Sequence, residues 1–212
     1  MTSPDTRSDD RSAPDVERTA LKEWAVLVDA MARGSIVAMV RKGGIREQRK
    51  GFGVRHDRFL LYPTYFHEKA AELAERFRDR LDAAHADRPA EGRVRLEYVC
   101  DVVGVWAVSD LGRLAAVEHE HGLAPDAVAS RFYYKQRPGV QVVVVRAKRL
   151  PRAVEVPELR RYAGCVSWVE LDGGVDVAGA MPVMPESELH RRVAAIAAAL
   201  GPLPGAGAAS AD

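Results

Sequence analysis

The chain of 212 residues is 47% hydrophobic with a net charge of only +1, which is enough apolar sequence for one substantial core and too little net charge to coat nucleic acid by bulk attraction. Its two cysteines, Cys100 and Cys165, belong to no CxxC or Cys/His cluster, so the pattern offers neither a zinc site nor a disulfide framework. No apolar run reaches the ~20 residues of a membrane helix and the polar start lacks a signal-peptide core, so a soluble, cytoplasmic protein without a membrane partner is expected.

Residues 1–17 mix Ser, Asp, Arg and Pro with almost nothing to bury, and are expected to form a disordered tail. One α+β domain is expected over 18–200, with a second disordered tail over the small residues 201–212. From about Thr19, the residues Leu21, Trp24, Ala25, Val28 and Met31 fall near helical spacing, with Gly34 as the stop. This reading places Trp24 in the core. Ile36 to Val40 is a short β-branched run and predicts a buried strand, closed by Arg41-Lys42-Gly43-Gly44.

Between Arg41 and Glu68 lie seven basic residues (Arg41, Lys42, Arg46, Arg49, Lys50, Arg55, Arg58) against three acidic ones (Glu47, Asp57, Glu68). Within that stretch Gly51 to Tyr62 predicts one or two strands, and Pro63 is expected to end their pairing. Thr64 is read as the N-cap of a helix from about Tyr65 to Ala84, with His67 in its first turn beside Glu68. A polar linker follows to Gly92.

Val94 to Val108 is the longest alternating run, and Gly104 predicts a bulge in it. Leu111 to His121 reads as a short helix. Its Glu118-His119-Glu120-His121 run suits an exposed helix end better than a metal site, because neighbours at i and i+2 diverge on a helix. Pro125 opens another helix. Val140 to Arg146 predicts a central strand, after which Pro151 and Pro157 are expected to break regular structure. A last strand ends at the Asp172-Gly173-Gly174 turn, and Glu186 to Leu200 forms an amphipathic helix with Leu189, Val193, Ile196, Ala197 and Leu200 inward.

This order predicts an α+β fold with a mixed or mostly antiparallel sheet, able to curl into a small barrel, flanked by helices. Three functional readings follow from it. In the first, a nucleic-acid or nucleotide-binding module uses Arg41, Lys42, Gly43, Gly44, Arg46, Arg55 and Arg58 on phosphates, with Tyr62, Tyr65 or Trp168 stacking on a base. The second is an enzyme: a hydrolase with His67 as base beside Thr64 or Lys42, or a magnesium nuclease drawing on Asp57, Glu68, Glu97 and Asp101. A Cys165–His nucleophile pair has no supporting spacing. The third is a non-catalytic partner or homodimer using the last helix. No cofactor is implied, and no metal motif is present.

The blocks ALKEWAV (Ala20 to Val26), RKGGI (Arg41 to Ile45), FLLYPTYFHE (Phe59 to Glu68) and YAGCVSW (Tyr162 to Trp168) resemble the bacterial family of domain of unknown function 1802 across Ala20 to Leu171. That resemblance carries no catalytic residues with it. A helix ending in glycine followed by a strand into Arg41-Lys42 also resembles the opening of PUA and ASCH β-barrels. This second resemblance implies a cleft between the Arg41-Lys42 turn and the loop after Tyr62 that takes a nucleotide or RNA phosphate.

Overall fold

The computed structural model describes residues 15–42, 56–162 and 167–203. Seven strands and six α-helices alternate along these residues: β1 (Val16–Trp24), α1 (Ala25–Ala32), β2 (Ala38–Arg41), β3 (Arg58–Thr64), α2 (Glu75–Arg78), α3 (Leu81–Ala86), β4 (Arg93–Val108), α4 (Leu111–Ala115), α5 (Pro125–Phe132), β5 (Val140–Pro157), β6 (Trp168–Asp176), β7 (Met181–Pro182) and α6 (Glu186–Leu200). The strands form one sheet in the order β2-β5-β4-β3-β1-β6, with β7 on β5. Among the described strands, β1 and β3 run parallel and the other pairs are antiparallel. The expected mixed, mostly antiparallel α+β architecture is what the chain adopts. The sheet is open, yet curled enough that Arg41, at the end of edge strand β2, donates to the Lys22 carbonyl of β1 at 3.1 Å.

Strand alternation sorts the core onto two faces. Phe59 and Leu61 of β3 join the larger cluster with Leu21, Cys100 and the helices, whereas Leu60 and Tyr62 join a smaller one with Ala20, Leu96, Val99 and Val169. Helix α6 lays Leu189, Ile196 and Leu200 on the larger cluster, so its apolar face is used within the chain. The buried Arg192 on the same face donates to Glu120 and to the Gly34 carbonyl. Gly34, at φ 68°, ends α1 as expected.

Several local expectations give way to tertiary pairing. The residues read as one helix from Thr19 are strand β1 up to Trp24 and helix only from Ala25, because β1 pairs with both β3 and β6. That strand starts at Val16, inside the expected tail. The helix expected over Tyr65 to Ala84 is broken: after a 3-10 turn at Ala70–Glu72, Leu73 is extended and bridges Leu123. Ala74 and Ala124 donate across the same junction.

Pro63 lies inside β3, opposite Glu23 of β1. Its pairing with β4 has stopped at Leu60, so the missing N–H costs no bond on that side. Pro151 and Pro157 are likewise within β5; Pro151 falls where the register jumps between Leu96↔Val154 and Tyr98↔Arg149. Asp172-Gly173-Gly174 forms an irregularity inside β6 rather than its end, opposite the shift between Glu17 and Thr19. The bulge at Gly104 is present, and a Cβ there would overlap Leu203 and Trp106. No helix among the described residues is long and apolar enough to cross a membrane.

Candidate nucleic-acid interface

A cleft of about 620 Å³ opens where the parallel strands β1 and β3 end beside the end of β2 and the end of α5. Its walls include Lys22, Glu23, Trp24, Arg41, Thr64 and Arg131. The rim carries Phe66, His67 and Tyr134, with Glu158 and Ser167 completing the wall. This volume lies in the range of about 300–1,000 Å³ typical of small-ligand sites.

The floor is built around Glu23, which is only 4% exposed. Its carboxylate accepts from Arg41 Nη1 at 3.1 Å and from its neighbour's backbone, Trp24 N, at 3.0 Å. Thr64 Oγ1 donates to the Glu23 carbonyl at 3.2 Å. Arg131 donates to the Val40 carbonyl at 2.9 Å and lies 5.4 Å over the Trp24 ring. Its pKa is lowered chiefly by burial, with the Glu23 charge opposing and the Arg41 charge adding to the shift. Each cation is thereby oriented by the fold, and a guanidinium has five donors of which these bonds occupy few.

Lys42 plays another part. Its ammonium donates to the carbonyls of Phe132 (2.8 Å), Gly139 (2.7 Å) and Arg137, which uses all three of its protons to cap the C-terminal end of α5. Burial and then the Arg137 charge lower its pKa. Lys42 lines the cleft, but as its fastener.

Arg41, Lys42, Thr64 and His67 therefore share one cleft; of the other expected residues, those that the structure describes do not join them. Tyr62 is 1% exposed beneath Lys22, whose Nζ sits 5.7 Å from the ring centroid, so it has no face for a base. Its hydroxyl has no partner among the described residues, and burial, with Glu158 second, pushes its pKa up. Tyr65 points to the other side of the chain, because residues 64 and 65 of an extended segment face opposite ways. It lines a second cleft of about 330 Å³ with Asp29, Arg33, Arg80, Arg95 and Arg149.

Arg58 begins β3 and Thr64 ends it, a separation of about 20 Å at strand rise. Arg58 is held there by Asp101 at 2.7 Å and Asp15 at 3.0 Å. Trp168 packs edge-on against Phe59 and tilted against His56. Gly43, Gly44, Arg46, Arg55 and Cys165 lie outside the described residues.

Of the enzymatic candidates among the described residues, Lys42, Thr64 and His67 line the cleft together, whereas the carboxylates considered for magnesium do not gather. Thr64 caps no helix: it is the last residue of β3, and its hydroxyl is turned to the Glu23 carbonyl. His67 is on the rim in the left-handed region, at φ 63°, not in a helical turn. Glu68 is turned away, its side chain fully buried against His85. Burial raises the Glu68 pKa, while His85 and the N–H groups of Ala25 and Val26 work the other way; Oε1 nonetheless has no hydrogen bond of ordinary geometry. Asp101 is tied to Arg58 and Lys148, and Glu97 lines the second cleft. Among the described residues, no three His, Cys, Asp or Glu side chains gather to hold a metal. His121 is buried at 2% exposure instead of lying on an exposed helix end.

Sequence reasoning missed Glu23, Trp24, Phe66, Arg131, Tyr134 and Glu158. The first two were hidden by the helical reading of β1. The signal for Tyr134 was legible: Tyr133-Tyr134 is an aromatic pair in a polar segment that ends at Pro138-Gly139.

Fold and cleft together define a mixed-sheet α+β protein with a partly cationic, aromatic-rimmed cleft at the ends of its parallel strand pair. The chain belongs to the family described as domain of unknown function (DUF1802), whose model matches residues 20–195. In shape it is similar to the crystal structure of ASCH from Zymomonas mobilis, with a TM-score of 0.43, 11% identity, and coverage of 83% of this chain and 92% of that one. It is similar also to the crystal structure of a mutant form of the Zymomonas mobilis ASCH protein, with a TM-score of 0.44, 11% identity, and coverage of 86% and 98%. No curated protein matches the sequence.

Proposed function

We propose that this protein is an RNA- or nucleotide-binding module and that the larger cleft takes the phosphate-bearing ligand. The observation that carries this reading is that Arg41 and Arg131 line one cleft, Arg41 fixed by the Lys22 carbonyl and Glu23 and Arg131 by the Val40 carbonyl, each through a single nitrogen. Fixed guanidinium groups suit phosphate oxygens because their planar forks match them and little side-chain entropy is lost on binding. The chain also runs from Lys42 directly into a sequence with Arg46, Arg49, Lys50 and Arg55 against Glu47 alone.

The test is fluorescence-anisotropy binding of a short oligoribonucleotide to the full chain at low and at physiological salt. Phosphate contacts release counterions, so affinity is expected to fall steeply with salt. Arg41→Ala is expected to weaken binding at low salt and to flatten the salt dependence by about one unit of slope. Equal, very weak binding at both salts would remove the proposal.

A further inference from the structure

Among the described residues, three non-glycine positions have positive φ: His67 at 63°, Lys135 at 55° and Gln136 at 55°. Such conformations are sparsely populated by L side chains and collect where a loop is held for a purpose. Here His67 and Lys135 each directly follow an exposed aromatic residue, and Gln136 continues the same turn. Phe66 precedes His67 and is 57% exposed; Tyr134 precedes Lys135 and is 55% exposed.

These two rings come from distant parts of the chain, one from the loop after β3 and the other from the turn after α5, yet both line the larger cleft. Each has a cation on one face: the Arg88 guanidinium lies 5.1 Å from the Phe66 centroid, and Lys135 Nζ lies 5.3 Å from that of Tyr134. A cation over one face anchors a ring that the core does not hold, and each residue stays more than half exposed. Exposed rings at the mouth of a cationic cleft have little structural use, because burying either would contribute to folding.

We infer that Phe66 and Tyr134 form a stacking clamp for one unpaired nucleobase of single-stranded RNA, with the adjoining phosphates on Arg41 and Arg131. The inference rests on the binding reading above and narrows it. Aromatic rings accept any base through its π-face, but only where the base is not already stacked in a helix. The ligand class is therefore single-stranded RNA or a strand end, and a duplex should be excluded because its bases cannot reach the rims. Arg41 and Arg131 supply attraction, and the clamp supplies the choice between strands.

The experiment compares the full chain with three probes carrying similar phosphate numbers: an oligouridylate of about six nucleotides, within the site sizes of single-strand binders, an abasic strand of the same length, and a short RNA duplex. The oligouridylate is expected to bind about tenfold more tightly than either of the others, the size of effect one stacked base supplies. Phe66→Ala and Tyr134→Ala should each abolish that margin and leave abasic-strand binding unchanged, while Phe66→Tyr and Tyr134→Phe should keep it. Both rings are mostly exposed, so these variants should melt with the parent protein, which a thermal scan verifies. Equal binding of abasic and base-bearing strands with a steep salt dependence would overturn the clamp and leave the binding module standing. Absence of salt-dependent binding to every probe would remove both.

Discussion

The two clefts on either side of residues 63–67 have similar charge counts and different chemistry. The smaller is lined by Arg33, Arg80, Arg95 and Arg149 and by Asp29, Asp87 and Glu97. Its arginines are committed locally: Arg33 and Arg80 to Asp29 at 3.0 and 2.8 Å, Arg95 to Asp87 at 3.1 Å, and Arg149 to the Tyr98 hydroxyl at 2.6 Å. The larger cleft has Lys22, Arg41, Lys42 and Arg131 against Glu23 and Glu158, with two exposed rings on its rim. Balanced, partly exposed ion pairs hold elements together and contribute little each. Lys22 and Lys42 of the larger cleft are likewise committed, to backbone carbonyls, but Arg41 and Arg131 are held beside exposed aromatics with most of their donors unused by those bonds. Counting cations would have ranked the two clefts alike, four in each; the groups each guanidinium already touches separate them.

The largest effect that tests this contrast is on stability. Glu23 is 4% exposed, and removing it strands the Arg41 cation and the Trp24 N–H. Breaking a buried pair on one side costs roughly 3–5 kcal/mol, so Glu23→Ala is expected to lower unfolding free energy in urea by about 3 kcal/mol. Asp29, whose side chain is 29% exposed, should cost no more than about 1 kcal/mol as Asp29→Ala. Equal losses would erase the distinction between a built floor and a paired wall.

Acid titration gives a second separation. His121, behind the larger cleft, has its pKa lowered from 6.5 to about 4 by burial and by the charges of Arg76 and Arg131. The folded state then binds fewer protons than the unfolded state between those values, so its stability is complete above pH 6.5 and declines as pH falls toward 4. The decline amounts to roughly 3 kcal/mol, and His121→Gln is expected to remove most of it. Glu68, which leads from the rim to His85 beside Tyr65, has the opposite sign: burial raises its folded pKa. Its contribution is complete below the unfolded carboxyl value and is lost as pH rises through the folded one, so Glu68→Gln should stabilise at neutral pH. Asp101, pushed up by burial but pulled down further by Lys148 and Arg58, contributes stability present above the unfolded pKa and lost as pH falls through the folded value. Urea midpoints of the parent and both variants across pH 4–7.5 separate the first two contributions.

Long strands and the last helix were legible in the sequence because their patterns run for many residues: β4 over Arg93–Val108 and α6 over Glu186–Leu200 fall where alternation and amphipathicity put them. What failed was short and context-dependent. Leu21, Trp24 and Val28 satisfy helical spacing, but sheet partners on both sides of β1 outweigh that local preference. The cleft was half legible. Arg41, Thr64 and His67 were named from charge and turn chemistry, whereas Arg131 and Tyr134 reach it only through the docking of α5 under Lys42. No spacing rule within one segment encodes a contact between residues about ninety apart. Placing Thr64 and Tyr65 together was avoidable, since alternation sends neighbours of an extended segment to opposite sides; Tyr62 shares the Thr64 face but is buried there.

The smallest effect is on the paired wall, where binding is read with almost no change in stability; Arg41→Ala strands the buried Glu23 carboxylate and is compared only at temperatures where a thermal scan shows it folded. Arg95 is 28% exposed and bound to Asp87, itself 77% exposed, so Arg95→Ala should shift the urea midpoint free energy by no more than about 0.5 kcal/mol. It removes one positive charge, as Arg41→Ala does, and so changes the protein's net charge equally. Were oligoribonucleotide binding a matter of overall charge, both variants would lower the salt slope together. If the larger cleft alone contacts phosphate, Arg41→Ala lowers the slope by about one and Arg95→Ala leaves it unchanged. Matched slopes in the two variants would show that the smaller cleft, for all its internal pairing, also faces the strand.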